Sequence, residues 1–119
     1  MTESGAERTI FERIAAREIP ADIVAENDRV IAFHDIAPKA PVHVVVTPKH
    51  AQYRDVVELA QGDPALLAEL VAVARDVAAD LADGDFRLVF NTGGGAGQTV
   101  FHVHAHVLAG GLGEGSLAG

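Results

Sequence analysis

The 119-residue sequence contains no cysteine, and this absence removes several chemistries at once. Without thiols the chain has no disulfide, no thiol nucleophile and no cysteine-ligated metal centre. Long apolar runs are also missing. No stretch approaches the roughly 18 apolar residues that span a bilayer, and the polar segment 1–13 does not resemble a secretory signal. These absences predict a cytoplasmic protein with no membrane partner.

Positive charge is scarce as well. Nine Lys and Arg residues stand against 17 Asp and Glu residues, which gives a formal net charge of −8. This balance argues against a nucleic acid polymer or an acidic membrane surface as partner. A mononucleotide stays admissible, because imidazoles and amides in one pocket can oppose the global field. Length and composition predict one domain over 1–119, with a loose N-terminus at 1–7 and a flexible tail at 110–119.

What the chain does have is an alternating run of histidines, His102, His104 and His106. Alternation is typical of a β-strand and predicts three imidazoles on one face. Just upstream, the glycine-rich loop 91–99 can aim backbone N–H groups at an anion. It is not a P-loop, because it lacks Gly-Lys-Ser/Thr and precedes a strand. Imidazoles beside an anion-binding loop indicate phosphoryl chemistry. A polar face of a half-buried strand and a zinc site are the alternatives, although side chains fanning from one strand converge poorly on one ion.

Periodicity and capping signals predict an α+β fold with an antiparallel sheet. Thr9 with Glu12 forms a capping box sequence, and Asp63 precedes a proline that suits the first helical position. Gly84 is expected to end the long helix in the left-handed conformation. The predicted helices are 10–17, with Thr9 as N-cap, 55–59 and 64–83, and the predicted strands are 23–25, 29–34, 43–47, 86–91 and 100–109.

The segment from His102 to Leu108 satisfies the pattern His-φ-His-φ-His-φ-φ, where φ is apolar. In this it resembles the histidine triad family of nucleotide hydrolases and transferases. Further segments match the Hint branch, the purine nucleoside phosphoramidases, in order and spacing: 9–11, 18–20, 33–36, 40–41, 48–50, 91 and 97–99. The resemblance implies a sheet of about five strands with two main helices, and a two-fold homodimer with one continuous sheet.

The resemblance also implies catalytic roles. His104 would attack the α-phosphate and form a nucleotidyl-histidine intermediate, with a nearby backbone carbonyl fixing its tautomer. His106 would contact phosphate oxygens or help to protonate the leaving group. His102 would act as scaffold, and His43 would support the triad from behind. No metal and no other cofactor is implied.

The implied ligand is an AMP-like purine nucleotide. Asp35 would accept both ribose hydroxyls, whereas His34 and His50 have no assigned role. The remaining nucleotide contacts fall into two groups. The apolar slot for the base comprises Ile10, Phe11, Ile14, Ile19 and Ile36, and the phosphate-side contacts comprise Asn91, Gly97, Gln98, Thr99 and Val100.

The chain departs from its relatives in two places. Thr99 replaces a common serine and keeps the hydroxyl, and the tail after Gly111 lacks the tryptophan and prolines of animal Hint proteins. Substrate preference is therefore open. Hydrolysis of nucleoside phosphoramidates or related adenylates is the leading prediction. Hydrolysis of dinucleoside polyphosphates, or a regulatory nucleotide-binding role with incidental turnover, is the alternative.

Overall fold

The computed structural model describes residues 8–114. The predicted loose N-terminus, 1–7, and the end of the predicted flexible tail, 115–119, lie outside the described residues. Within the tail, the carbonyl oxygen of Gly113 accepts a hydrogen bond from Nη2 of Arg87 at 2.8 Å. The beginning of the tail is therefore held against the sheet.

Three α-helices form where capping residues precede them. They are α1 (Ile10–Ala15), α2 (Val56–Gly62) and α3 (Pro64–Ala82), with Thr9, Asp55 and Asp63 as N-caps. The prediction for α1 was two residues too long, because Arg17 already has a positive φ of 64°. The predicted end of α2 at residue 59 was too early. At the end of α3, Asp83 has a φ of 56° in the left-handed region, and Gly84, which was predicted to have a left-handed conformation, also has a positive φ of 88°.

Five strands form one antiparallel sheet in the order β1-β2-β3-β5-β4. The predicted α+β fold with a five-stranded antiparallel sheet is thereby confirmed. The strands are β1 (Ile23–Glu26), β2 (Val30–His34), β3 (Val42–Pro48), β4 (Arg87–Val89) and β5 (Ala105–Ala109). A short 3₁₀ turn, Gly94–Ala96, lies in the glycine-rich loop.

Two strands are shorter than predicted by several residues. β4 has three residues instead of six, and β5 begins at Ala105 instead of residue 100. The β3 pairing stops at Val46 opposite Ala105. Before that point the backbone of Val103 bonds elsewhere: its N–H donates to the Tyr53 carbonyl at 2.9 Å, and its carbonyl accepts from the Thr47 hydroxyl at 2.8 Å. His102 and His104 therefore lie on an extended segment before β5, and His106 lies within it.

The sheet has a helix on each face. On one face α3 buries Leu70, Ala74 and Val77 against a cluster that includes Val103, Ala105 and Val107, the residues between and after the histidines. On the other face α1 packs Phe11 and Ile14 against Ile31, Phe33 and Val45. Val45 is paired with His106 in the sheet, and directly paired residues share a face. The histidines consequently lie on the α1 face.

None of the helices in residues 8–114 combines the length and the apolarity that crossing a membrane requires.

Candidate active site

His102 is the most enclosed of the three alternating histidines. Its side chain is fully buried, with Nε2 2.7 Å from the Pro48 carbonyl oxygen and Nδ1 2.6 Å from the Thr9 hydroxyl. A carbonyl can only accept, so Nε2 carries the proton. Burial lowers the pKa of His102 to about 4, which keeps the ring neutral at physiological pH. The ring is thus a buried, hydrogen-bonded part of the scaffold.

His104 follows with a defined tautomer. Its Nδ1 lies 2.8 Å from the carbonyl oxygen of His102, so the proton is on Nδ1 and the lone pair is on Nε2. Burial also lowers the pKa of His104. No protein group among the described residues hydrogen-bonds to its Nε2. The arrangement produces a neutral imidazole with a nucleophilic nitrogen available, which is what attack on phosphorus requires.

His106 has the opposite tautomer, because His43 sets it. The backbone N–H of Lys39 donates to Nδ1 of His43 at 2.9 Å, which leaves the His43 proton on Nε2. This Nε2 lies 2.9 Å from Nδ1 of His106 and 3.4 Å from a carboxylate oxygen of Asp35. Donation to Nδ1 places the His106 proton on Nε2. Burial, aided by His104 and His43, lowers the pKa of His106 to about 4.

The rings pack edge to face in one continuous row. The centroids of His43 and His106 are 5.0 Å apart, those of His106 and His104 are 5.1 Å apart, and the Phe11 ring is 4.8 Å from His104 and 5.4 Å from His102. This packing restricts ring rotation. A lone-pair nitrogen on His104 and an N–H donor on His106 therefore stand side by side.

A cavity of about 550 Å³, here called the histidine cavity, opens beside these rings. It falls in the size range of small-molecule sites. Of the predicted site residues it is lined by seven: Asp35, His43, Asn91, Gly97, Thr99, His104 and His106. Lys39 and Arg87 line it too, and these cations were not predicted as site residues. Their positive charge makes this cavity locally electropositive on an acidic chain.

A second cavity of about 180 Å³, the apolar slot, is lined by α1, by the segment 19–21 and by residues of β2, β3 and the loop after β2. All five residues predicted for the base line it: Ile10, Phe11, Ile14, Ile19 and Ile36. Ile36 is 97% exposed at the slot, although isoleucine is normally a buried residue. Asp35 lines both cavities and so lies at their junction. The order of apolar slot, carboxylate and cationic cavity matches the order of base, ribose and phosphate in a nucleotide.

The remaining two predicted contacts face elsewhere. The buried Gln98 side chain accepts from the Gly93 N–H at 2.8 Å and donates to the carbonyls of Arg54 and Val100. Val100 packs against the core cluster under α1. Neither residue lines the histidine cavity. In this structure Gln98 shapes the glycine-rich loop, while its neighbours Gly97 and Thr99 line the cavity.

Three contributors had weak signals in the sequence. Lys39 lies in a proline-bounded loop and Arg87 on a short strand, so neither had a motif to mark it. Thr9 was recognised as an N-cap, but its second bond, to a histidine 93 residues away, had no local signal. Of the two unassigned histidines, His34 lines the apolar slot, whereas His50 is exposed and lines neither cavity.

One group of potential metal ligands lies in the site. Asp35, His43 and His106 each offer one ligand atom, all within 4.8 Å of one another. Both nitrogens of His43 are already engaged in hydrogen bonds, to the Lys39 N–H and to Nδ1 of His106. An ion held by this residue would break one of these bonds. These three residues therefore fit the observed hydrogen bonds better than a metal centre.

Comparison with known proteins agrees with this geometry. Residues 16–111 match the family model of the HIT domain. An uncharacterised HIT-like protein of Synechocystis is 51% identical over 109 residues, which cover 88% of this chain and 92% of the relative. The structure resembles a HIT family hydrolase from Clostridium thermocellum with a TM-score of 0.81 and 43% identity, covering 87% of this chain and 91% of the other. It also resembles a hypothetical histidine triad nucleotide-binding protein from Sulfolobus tokodaii, with a TM-score of 0.73, 30% identity, and 87% and 70% coverage.

A five-stranded antiparallel sheet with an alternating histidine segment beside a cavity defines the class of protein. The chain belongs to the HIT domain family.

Proposed function

We propose that this protein is a metal-independent hydrolase that binds an AMP-like purine nucleotide and cleaves nucleoside 5′-phosphoramidates or related adenylates. The observation that carries the proposal is the bond from Nδ1 of His104 to the His102 carbonyl, which leaves Nε2 as the nucleophile in a cavity suited to phosphate. The similarity to a HIT family hydrolase from Clostridium thermocellum and to a hypothetical nucleotide-binding protein from Sulfolobus tokodaii supports the same class.

The reaction would run in two displacements. Nε2 of His104 attacks the α-phosphorus, and the bond from phosphorus to the amine breaks. The amine leaves with the electron pair and takes a proton from solvent, while the Nε2–H of His106 donates a hydrogen bond at the reacting group. Water then attacks phosphorus and releases its proton, the bond to His104 breaks, and a nucleoside monophosphate leaves. The net reaction consumes one water for each amine released.

Charge is stabilised by groups around the phosphate. Thr99, which carries a hydroxyl donor, and the cations Lys39 and Arg87 line the cavity where negative charge accumulates. Preorganised donors of this kind contribute several kcal/mol to catalysis, about 3 kcal/mol for a single one. In the same proposal, Asp35 accepts the ribose hydroxyls and the apolar slot holds the purine.

The test compares substrates and variants. Wild-type protein is incubated with adenosine 5′-phosphoramidate and with a dinucleoside polyphosphate, each with and without EDTA. Release of AMP from the phosphoramidate, unaffected by EDTA, is expected. His104→Ala should lower kcat by about a thousandfold or more while it still binds AMP in calorimetry. His50→Ala, a histidine outside both cavities, is the matched control and should keep wild-type turnover.

Mass spectrometry of quenched reactions should detect one adenylyl group on the peptide that contains His104. Near wild-type turnover by His104→Ala would remove the proposed nucleophile. Faster turnover of the dinucleoside polyphosphate would replace the proposed substrate, and nucleotide binding without turnover would indicate a regulatory role. Loss of activity in EDTA would favour the metal alternative.

We also propose a two-fold homodimer with a continuous sheet, located in the cytoplasm. Within the described chain β4 is an edge strand of the sheet, and a strand of a second copy added beside it would make the sheet continuous. Light scattering after gel filtration should give twice the monomer mass. A monomeric mass at micromolar concentration would contradict the dimer without affecting the proposed chemistry.

A further inference from the structure

Thr9 joins the N-terminal helix to the histidine segment. As N-cap of α1 it accepts a hydrogen bond from the Glu12 N–H at 3.1 Å, and its own N–H donates to the Glu12 carboxylate at 3.1 Å. The same hydroxyl lies 2.6 Å from Nδ1 of His102. A capping residue needs only to accept a hydrogen bond, so this second contact requires an explanation of its own.

The direction of the contact follows from its neighbours. The Pro48 carbonyl accepts from Nε2 of His102 at 2.7 Å, so in the neutral ring Nδ1 carries no proton. The threonine hydroxyl has one proton, and a lone pair already receives the Glu12 N–H. Its proton must therefore point at Nδ1 of His102. One hydroxyl completes the helix cap and the hydrogen bonding of a fully buried ring together.

The ring held in this way belongs to the residue whose carbonyl orients the nucleophile. His102 accepts from Nδ1–H of His104 at 2.8 Å, and the Phe11 ring contacts both imidazoles from α1. We propose that Thr9 is a positioning residue for the reaction: by donating to Nδ1 of His102 it fixes that ring and, through the His102 carbonyl, the tautomer of His104. The expected effect of Thr9 on kcat rests on the proposed function, whereas its effect on the protonation of His102 does not.

Three substitutions separate positioning from helix capping. Thr9→Val keeps the shape and removes the hydroxyl, Thr9→Ser keeps both bonds, and Thr9→Asp keeps a strong N-cap but offers an acceptor instead of a donor. With Asp present, His102 would need protons on both nitrogens and would become a cation at neutral pH. Capping alone predicts that the Asp variant resembles the wild type, and positioning predicts that it does not.

The readouts are nitrogen-15 NMR of the histidine rings at pH 7, together with kcat and KM for adenosine 5′-phosphoramidate. Wild type and Thr9→Ser should give a neutral His102 protonated on Nε2, with kcat values within about threefold. Thr9→Asp should give a doubly protonated His102. Thr9→Val and Thr9→Asp should each lose about tenfold to a hundredfold in kcat, the usual cost of removing the partner that orients a functional histidine. Thermal melts confirm that each variant is folded at the assay temperature.

The proposal is overturned if Thr9→Asp keeps wild-type kcat and a neutral His102, since capping would then be the whole role. It is also overturned if Thr9→Val raises KM alone, because the effect would then be confined to the nucleotide slot. Absence of any hydrolysis by the wild type would refute the proposed function instead. In that case the NMR comparison would still decide whether Thr9 sets the state of His102.

Discussion

Acidification should destabilise this fold through His102. The buried ring has a pKa of about 4, while in the unfolded chain it would have the ordinary value near 6.5. Protons therefore bind preferentially to the unfolded state. The contribution of neutral His102 to the free energy of unfolding is complete above pH 6.5. It decreases as the pH falls below 6.5, and it is lost near pH 4. From pH 7.5 to pH 5 the linkage relation gives a loss of about 2 kcal/mol from this one residue.

Chemical denaturation measures this loss when it is done at both pH values and at one protein concentration. Other groups titrate over the same range, so the useful quantity is a difference between proteins. His102→Gln has no titrating ring and keeps an amide donor for the Pro48 carbonyl. The free energy of unfolding of the wild type should fall by about 2 kcal/mol more than that of the variant between pH 7.5 and pH 5. An equal fall in both proteins would refute the buried, neutral assignment of His102.

Three further outcomes are expected. Asp35→Asn should weaken discrimination of ribonucleotide against 2′-deoxyribonucleotide substrates by about tenfold in kcat/KM, because a donor replaces one acceptor oxygen; unchanged discrimination would contradict the ribose contact. Gly110→Ala should cost about 1–3 kcal/mol of stability, since φ is +104° and the new Cβ would lie 2.9 Å from Pro41, whereas Gly94→Ala has open space and should cost far less. Gln98→Leu removes the bonds that shape the loop and should raise KM for nucleotide more than it lowers kcat; the opposite split would argue against a loop-shaping role.

Much of the fold follows from local sequence signals. The capping residues Thr9, Asp55 and Asp63 mark the helix starts, and the apolar period of α3 determines the face that it buries. Strand ends were predicted less well, because pairing depends on a partner. The predicted strand begins at residue 100, but the β3 ladder ends opposite Ala105, and the Thr47 hydroxyl donates to the Val103 carbonyl instead. Hydrophobic alternation alone does not specify where the segment stops pairing with β3 and bonds to other residues.

For the candidate site, too, some features could be predicted from the sequence and others could not. The row of imidazoles and the apolar residues of α1 are visible as motifs, and the structure brings them beside two adjoining cavities. The sequence could not predict which ring nitrogens carry protons, because this depends on hydrogen-bond partners contributed by distant elements. The Pro48 carbonyl decides the tautomer of His102, and the Lys39 N–H decides that of His43. Neither backbone group has a side-chain signature.

These distant contacts explain why three chemically identical side chains can have different tasks. Burial lowers the pKa of each triad histidine, so charge does not distinguish them. The hydrogen-bond partners of the ring nitrogens distinguish the three histidines. A carbonyl at Nδ1 leaves His104 with a lone pair on Nε2, a histidine N–H at the same atom leaves His106 with an N–H on Nε2, and His102 has partners at both nitrogens. The sheet and α1 therefore set the proton positions of the three rings through the backbone and hydroxyl groups that they bring to each ring.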